Sequence, residues 1–338
     1  MQQTGIAHID ALIDESERLT YPDAAQALKL AGQAVGLIDA ETDPTVAVRA
    51  LLRLSHMELA FGQLHDAQMV LLRALTIAET SDLEVNRGEI MNAMASIYYT
   101  IGEYDDAIDN WADCLDPRNT GFSASTRILA HIGVGQIYFA HEDFETALSH
   151  HRRAEKLAWQ ADVPTELRCR VLINVAIDGL RLMRLVEAVE ALEKALPLAQ
   201  QMGHSEYQVE ISVYLATTAL ECEDLATAGR WLDVADQIDI VWRWGQNLRT
   251  LARGRWHLMS GNLPAALHEL QLALELASDL GVAHMAFQAH HLLAQTWTRM
   301  GDLAQAEQHH RRYQEIFNSI VRPGTFARLQ ALEKRLVA

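Results

Sequence analysis

The sequence predicts an all-α solenoid in which antiparallel helical hairpins stack one on the next. The first observation is a turn motif, Phe61-Gly62-Gln63-Leu64-His65-Asp66-Ala67, that returns with its apolar anchor at positions 64, 104, 144, 185, 225, 263 and 303. A period of about 40 residues is typical of a helical repeat architecture. The second observation is that small residues keep register with this turn on both sides. The third is that Ala and Leu dominate, while Gly and Pro fall between helical stretches.

Each feature of the turn has a structural reason. Glycine ends the first helix of a hairpin in the left-handed backbone conformation, which a side chain disfavours. The Asp or Asn that follows it in several copies can cap the next helix. The Leu, Tyr or Phe anchor packs between the two helices, and the alanine three residues later lets them cross closely. Three copies have lost the glycine, and Glu142, Met183 and Glu223 stand in its place.

Aromatic residues before the turn, Tyr98, Tyr138 and Trp297, complete a small–aromatic–Gly–small–small pattern. This pattern resembles the tetratricopeptide repeat (TPR) family over about residues 46–316. A weaker copy at 19–24 raises the expected number of hairpins from seven to eight. The resemblance implies a right-handed superhelical solenoid whose first helices line a concave groove. The family's basic unit is 34 residues, and the period of about 40 residues here resembles the long-repeat branch in bacterial signalling proteins.

Helix boundaries follow from the turns and from the apolar spacing between them. The clearest break inside the array is 116–121, where turn formers cluster. The solenoid is assigned to residues 1–318 and a capping or connector helix to 319–338. The predicted helices are 6–18, 22–39, 45–61, 64–80, 87–101, 104–115, 123–140, 144–161, one opening at 164, 185–202, 205–221, 225–238, 248–260, 264–280, 283–300, 303–317 and 325–338.

An unusually apolar stretch, Ile240-Val241-Trp242-Arg243-Trp244, falls within the shortest interval between successive anchors, from position 225 to position 263. Its two tryptophans are two positions apart, so they cannot share one narrow helical face. Tight packing between neighbouring hairpins is the first interpretation. An aromatic lining of a ligand groove is the alternative.

The last predicted helix carries a narrow apolar stripe after a Pro-Gly break. Such a stripe is closer to a coiled-coil seam than to a globular face, but it is too short for a stable free coiled coil. We therefore predict that it docks on the preceding hairpin around Tyr313 and Phe317, with at most weak self-association. The alternative is a connector into an output domain. The stripe consists of Phe326, Leu329, Leu332 and Leu336.

The net charge of −17 disfavours a nucleic-acid partner, because phosphate binding needs a basic surface. No stretch approaches the roughly 20 apolar residues of a membrane span, and the N-terminus lacks the pattern of a signal peptide. Cys114, Cys169 and Cys222 are widely spaced without a CxxC motif, which predicts buried thiols in a reducing compartment. These features predict a cytoplasmic protein.

No catalytic constellation is visible. The sequence has no GxSxG motif, no P-loop and no HExxH motif. Its 15 histidines include adjacent pairs at 150–151, 290–291 and 309–310, but no converging ligand set, so solvated or groove-lining roles are favoured. The acidic pairs at 105–106 and 223–224 lie at helix starts, where acidic side chains interact favourably with the positive end of the helix dipole. We expect no enzymatic activity, no metal and no other cofactor.

The candidate site is the groove that the resemblance implies. Counting back from each turn gives the outward positions of the first helices, which are mostly polar. Asn and Gln side chains can hold both the N–H and C=O of an extended peptide, and Arg can clamp a carboxylate. The alternative is a merely solvated helix face. The candidate groove residues are Arg53, His56, Asn92, Ser96, Tyr99, Gln136, Arg170, Asn174, Asp178, Arg181, Tyr214, Thr217, Arg255, His291 and Gln295.

The sequence therefore predicts a non-enzymatic module that binds a protein or peptide segment. By resemblance, it is the sensory or regulatory part of a bacterial signalling protein, with an output domain such as a diguanylate cyclase joined through the C-terminal helix. One alternative is a receptor for a short signalling peptide. Another is a scaffold or dimerisation module without a small ligand.

Overall fold

The computed structural model describes residues 2–280, 283–320 and 323–337, which form seventeen helices and no strand. Among these residues, no helix is both long and apolar enough to cross a membrane. The helices are α1 (Gln2–Arg18), α2 (Ala24–Gly36), α3 (Pro44–Ala60), α4 (Leu64–Thr80), α5 (Glu84–Ile101), α6 (Tyr104–Leu115), α7 (Ala124–Ala140), α8 (Phe144–Gln160), α9 (Thr165–Arg181), α10 (Leu185–Gln201), α11 (Ser205–Glu221), α12 (Leu225–Asp236), α13 (Arg243–Met259), α14 (Leu263–Leu280), α15 (Ala283–Met300), α16 (Leu303–Ile320) and α17 (Pro323–Val337).

Helices α1 to α16 pair into antiparallel hairpins, including one at the weak N-terminal copy of the motif. Each odd-numbered helix from α1 to α13 also contacts the next odd-numbered helix along the chain. The first helices of the hairpins therefore form a continuous inner layer, and the second helices form the outer layer. This arrangement confirms the predicted solenoid of helical hairpins.

The turn position is left-handed in every one of the seven copies. Glycine supplies it where present, with φ between 76° and 86° at Gly62, Gly102, Gly261 and Gly301. The copies without glycine keep the same conformation, with φ of 62° at Glu142 and 57° at Met183 and Glu223. The geometry of the repeat thus imposes a backbone that costs an L-residue roughly 1–2 kcal/mol.

The small residues of the motif lie where two helices approach closely. The alanines three positions after the anchor are all buried: Ala67, Ala107, Ala147, Ala188, Ala228, Ala266 and Ala306. The predicted caps also form in part, since Asp143 and Asp224 accept hydrogen bonds from the backbone N–H groups three residues on. The sequence pattern therefore encodes both the turn and the crossing point of each hairpin.

Close packing makes Gly133 a sensitive position. A Cβ atom there would lie 2.1 Å from the ring of buried Trp111. We expect Gly133→Ala to lower the free energy of unfolding by about 1–2 kcal/mol, because overpacking outweighs the better helix propensity of alanine. Gly32, also within a helix, has no atom within 4 Å of such a Cβ. Gly32→Ala should stabilise by about 0.5–1 kcal/mol. Urea unfolding measures both changes. If the two variants had equal unfolding free energies, the Trp111 ring would not pack against Gly133.

The C-terminal helix does not dock where the sequence analysis placed it. Leu329 and Leu332 are buried in a cluster that includes Trp111 of α6, and α17 packs mainly on α6 rather than around Tyr313 and Phe317. From the preceding hairpin, Ile316 of α16 belongs to that cluster, and Ala286 and Phe287 of α15 pack against it. The prediction failed because the solenoid brings its C-terminal end back to the third hairpin. The side chain of Phe326 lies outside the described residues.

Two smaller expectations were also wrong. Cys222 is exposed at the end of α11, whereas Cys114 and Cys169 are buried as expected. Helix α13 begins at Arg243, ahead of the predicted start at 248, so Trp244 belongs to its first turn.

Candidate functional site

The concave face contains a cavity of about 520 Å³. Its lining comes mainly from the inner helices α3 to α15, and Tyr21 from the turn between α1 and α2 closes one side. This volume falls in the range of roughly 300–1,000 Å³ that is usual for ligand pockets. The inner layer of the solenoid therefore forms a site large enough for a small molecule or several residues of a peptide.

Most of the predicted groove residues meet at this cavity. Although they belong to six different helices, the solenoid turns them toward the same space. Their contact with a ligand remains a prediction. The residues are His56, Ser96, Tyr99, Gln136, Arg170, Asn174, Arg181, Tyr214, Thr217 and Arg255. Asp178, also predicted for the groove, lies in the cavity wall, but its side chain is buried and bonded to His151.

Arg53 and Asn92 hold helices together instead of facing the cavity. The buried Arg53 guanidinium donates to the backbone oxygen and hydroxyl of Ser16 and to the hydroxyl of Thr20, so it ties α3 to the C-terminal end of α1. Asn92 is also buried and donates to the backbone oxygen of Thr126 across α5 and α7. Both side chains therefore hold neighbouring helices together and do not line the cavity as predicted.

His291 and Gln295 lie in a separate, more open depression on α15 and α16. Their side chains are 2.8 Å apart, between Gln295 Nε2 and His291 Nε2, and both are exposed. The structure does not bring them to the cavity with the other candidates.

One end of the cavity is an aromatic stack around His204. The imidazole stacks on Tyr207 with ring centroids 3.7 Å apart, and the centroid of the Tyr21 ring lies 4.0 Å from that of His204. Glu166 Oε1 lies 3.9 Å from His204 Nε2, and this interaction lowers the pKa of Glu166. His56 is exposed to the same end of the cavity, where desolvation by the surrounding walls lowers its pKa and favours the neutral imidazole.

Glu206 and Glu210 line the cavity one helical turn apart on α11. Neither carboxylate has a hydrogen bond or ion pair with the residues that the structure describes. Burial raises the pKa of each to about 7, and the charge of Glu210 adds to the shift at Glu206. A cationic group in the cavity would therefore find two carboxylates that lack a direct partner.

Arg170 on α9 is the complementary feature. Its guanidinium makes no hydrogen bond or ion pair within the described part of the chain, although its charge lowers the pKa of Glu210. Arginine can hold a carboxylate with two parallel hydrogen bonds. The cavity thus presents an available cation near Glu210, together with two carboxyls that lack a direct partner among the described residues.

Side-chain amides lie beside these charges. Asn174 Nδ2 donates to the backbone oxygen of Arg170 at 2.9 Å, and Gln136 Nε2 donates to Asn174 Oδ1 at 3.3 Å. These bonds orient both amides and leave one N–H of Asn174 and the oxygen of Gln136 available. Amides with both donors and acceptors suit a peptide backbone.

A buried His–Asp pair lies between α8 and α9 at the cavity wall. His151 Nδ1 contacts Asp178 Oδ2, and His151 Nε2 lies 3.1 Å from the backbone oxygen of Ile132. Because a carbonyl oxygen only accepts, Nε2 must carry a proton. Gly135 makes room for the ring, since a Cβ there would lie 2.4 Å from it. Burial raises the pKa of Asp178.

The remaining cavity arginines already have partners. Arg255 donates to Glu221 at 2.8 Å, and Arg243 donates to Asp279 at the same distance. Arg181 lies over the ring of Phe144, 4.7 Å from its centroid. These cations shape the rim, whereas Arg170 remains available inside.

Trp242 and Trp244 both line the cavity. They do so because Trp242 lies in extended backbone just before α13, while Trp244 lies in its first turn. The geometry therefore favours the aromatic lining that the sequence left as the alternative, although Trp242 also packs against Gly245.

Glu206, Glu210 and Tyr207 were not among the groove residues predicted from the sequence. The repeat spacing could have identified the two acids, since Glu206 and Glu210 occupy the same repeat positions as Glu166 and Arg170 one hairpin earlier.

The described residues contain no group of three or more His, Cys, Asp or Glu side chains placed to hold a metal ion. His150 and His151 belong to the interior rather than to a solvated face. His150 contacts His131 at 3.1 Å between their Nδ1 atoms and Glu333 through Nε2.

No family model and no curated protein matches the sequence. Solved structures do match over nearly the whole chain. A Rap protein complexed with Competence and Sporulation Factor has 15% sequence identity and a TM-score of 0.60, and the match covers 93% of this chain and 99% of that chain. The Rap conjugation gene regulator of the plasmid pLS20, in complex with a Phr peptide, has 11% identity and a TM-score of 0.56, with coverage of 94% and 96%.

At these identities the likeness shows the fold. The chain has the TPR-type fold, a right-handed superhelical solenoid of helical hairpins, as the sequence pattern predicted.

Proposed function

We propose that this protein is a non-enzymatic regulatory module that binds a short peptide in the cavity of its concave face. The observation that carries the proposal is the combination of Glu206, Glu210 and Arg170, which line one cavity without direct partners among the described residues. Glu210 is buried, and Glu206 and Arg170 are half-buried. Charges withdrawn from water are costly when unpaired, so a site that keeps them is suited to a ligand that supplies the missing charges.

A peptide fits this combination better than a simple anion or cation. It offers an ammonium or basic side chain for the two glutamates and a carboxylate for Arg170. Its backbone also provides both donors and acceptors for Asn174 and Gln136. The nearby tyrosines and tryptophans supply apolar surface for side chains.

The matched structures support the peptide-receptor form of the proposal. The pLS20 regulator was solved with a Phr peptide, and the other Rap protein with Competence and Sporulation Factor. We therefore place the receptor for a short signalling peptide first among the sequence-based alternatives. A cytoplasmic location and a role as the sensory part of a bacterial signalling protein form part of this proposal.

The rival function is a scaffold or dimerisation module without a small ligand. It predicts partners on the outer layer and no selective binding in the cavity. An output domain joined through α17 remains compatible with either function, because the connection would act at the outer layer rather than inside the cavity.

We expect the protein to retain a defined subset of a pool of random hexapeptides with free termini. The retained peptides should be enriched in Lys or Arg, since the two glutamates lack partners. For a retained peptide, Asn174→Ala and Arg170→Ala should each weaken binding by about tenfold, or roughly 1.4 kcal/mol. Size-exclusion capture followed by mass spectrometry identifies the peptides, and calorimetry measures their affinity.

Glu190→Gln on α10 is the control, because this side chain is exposed and lies outside the cavity. It should leave the affinity unchanged. Retention of no peptide above background, or equal affinities for wild type, Asn174→Ala and Arg170→Ala, would reject the cavity as the binding site and favour the scaffold.

A further inference from the structure

The C-terminal helix α17 contacts outer helices that lie far earlier in the chain. Thr325 Oγ1 donates to Asp105 Oδ1 at 2.9 Å, Arg328 donates to Asp109 at 2.6 Å, and Arg335 donates to Asp116 at 3.0 Å. The partners advance together along both segments, so α17 runs parallel to α6.

The contact extends to α8 on the other side. Glu333 contacts His150 and lies 3.7 Å from Arg153. Helix α17 therefore lies over a groove between α6 and α8, which we call the outer groove. The floor of the outer groove is apolar, because Leu329 and Leu332 are buried in the cluster that contains Trp111.

The outer groove is acidic along α6, and the helix that covers it is basic. Asp105 and Asp109 lie one helical turn apart and Asp116 follows after two further turns, which places them on one face of α6 and its C-terminal cap. Arg328 and Arg335 of α17 meet this face. These acids do more than mark a helix start, which was the role expected for Asp105 from the sequence.

The interactions that hold α17 are weak individually. The Arg328–Asp109 and Arg335–Asp116 pairs leave their arginines about half exposed, and exposed pairs contribute little to stability. Only Leu329 and Leu332 are fully buried among the described apolar side chains of the helix. An isolated helix of this length is only marginally stable in water. Its docking therefore depends on the chain connection that keeps it close to the groove.

We propose that α17 is a detachable strap and that the outer groove is a docking surface for a basic amphipathic helix of a partner protein. In the free protein α17 occupies this surface from within the same chain. A partner helix that combines two apolar residues one turn apart with flanking arginines takes its place. The proposal concerns the outer layer and does not depend on a ligand in the cavity.

The test uses the full chain and a labelled synthetic peptide of residues 323–337 as the partner helix. The double variant R328E/R335E should release α17, so that hydrogen exchange of this helix rises on the order of tenfold after loss of both ion pairs. The same variant should bind the peptide at least about tenfold more tightly than wild type, whose groove is occupied at a high effective concentration. Fluorescence anisotropy measures the peptide affinity.

Two further variants make the result specific. K334E reverses the charge of one exposed residue of α17 that has no partner among the described residues, which is half the charge change of R328E/R335E, and it should behave as wild type. Adding D109R to R328E/R335E should slow exchange of α17 again and weaken binding of the unmodified peptide. The reason is that the arginine introduced on α6 would pair with the glutamate introduced on α17 and repel the peptide's arginine.

Three outcomes would overturn the proposal. Unchanged exchange in R328E/R335E would make α17 a permanent cap. Faster exchange without peptide binding would show that the groove does not accept a basic helix. A concentration-dependent dimer that excludes the peptide would assign the groove to α17 of a second copy.

Discussion

The free energy of unfolding should fall by about 2 kcal/mol between pH 6.5 and pH 8 through Glu206 and Glu210. Both carboxyls have a pKa raised to about 7 by burial in the cavity wall, compared with 4.5 when exposed. Replacing both by glutamine should remove most of this fall. Urea unfolding of the two proteins across this pH range measures the difference.

The sign follows from the protons bound in each state. A folded-state pKa above the unfolded value means that the native protein retains a proton which the unfolded chain has already released. The stabilisation is complete below the unfolded pKa of about 4.5 and is lost as the pH rises through about 7. Histidines with lowered pKa, such as His131, act in the opposite direction, and they still do so above pH 6.5 because about half of each unfolded imidazole is protonated at that pH. They act equally in wild type and in the glutamine variant, so the contribution of Glu206 and Glu210 is the difference between the two proteins.

The matched control is E190Q/E193Q, which removes the same two charges from exposed positions of α10. This control should show the same decrease in unfolding free energy between pH 6.5 and pH 8 as wild type. A residual fall of about half the size of the part removed is expected in E206Q/E210Q, since burial also raises the pKa of Glu58 to about 7. An undiminished fall in E206Q/E210Q would mean that the two carboxyls are hydrated or paired. A bound cationic peptide should reduce the fall in wild type, because it keeps the ionised carboxylates paired.

The repeat made the hairpins predictable because each one is specified locally. The turn anchor, the left-handed position and the crossing alanine all lie within a few residues of each other, so spacing alone places them. Even the copies without glycine, at Glu142 and Met183, follow the rule. Contacts between distant hairpins have no such local signal, and the docking of α17 on α6 depends on how far the whole solenoid turns.

Counting back from the turn identified the inner face but not the role of each side chain on it. Arg53 and Asn174 lie at the same distance from their anchors, yet Arg53 reaches across to α1 while Asn174 borders the cavity. The difference depends on side-chain length and on which backbone groups lie within reach. Likewise, the sequence suggested basic groove residues, whereas the structure shows Glu206 and Glu210 beside Arg170.

Removing one partner of the buried His151–Asp178 pair should cost about 3–5 kcal/mol of unfolding free energy. Both side chains are almost completely buried, and the ring bridges Asp178 on α9 and the backbone of Ile132 on α7. Asp178→Ala would leave the imidazole without its carboxylate partner, and His151→Ala would leave a buried carboxyl and a cavity. Each single variant should therefore loosen the contact between the fourth and fifth hairpins.

Arg152 provides the control one residue away. Its pairs with Glu155 and Glu187 are solvent-exposed, so Arg152→Ala should cost less than about 1 kcal/mol. The double variant H151A/D178A should cost clearly less than the sum of the two single changes, because the second substitution removes a group that the first left unpaired. Additive costs in urea unfolding would contradict direct coupling. In that case the stability of this region would come from the apolar packing between α7, α8 and α9 rather than from the His–Asp pair.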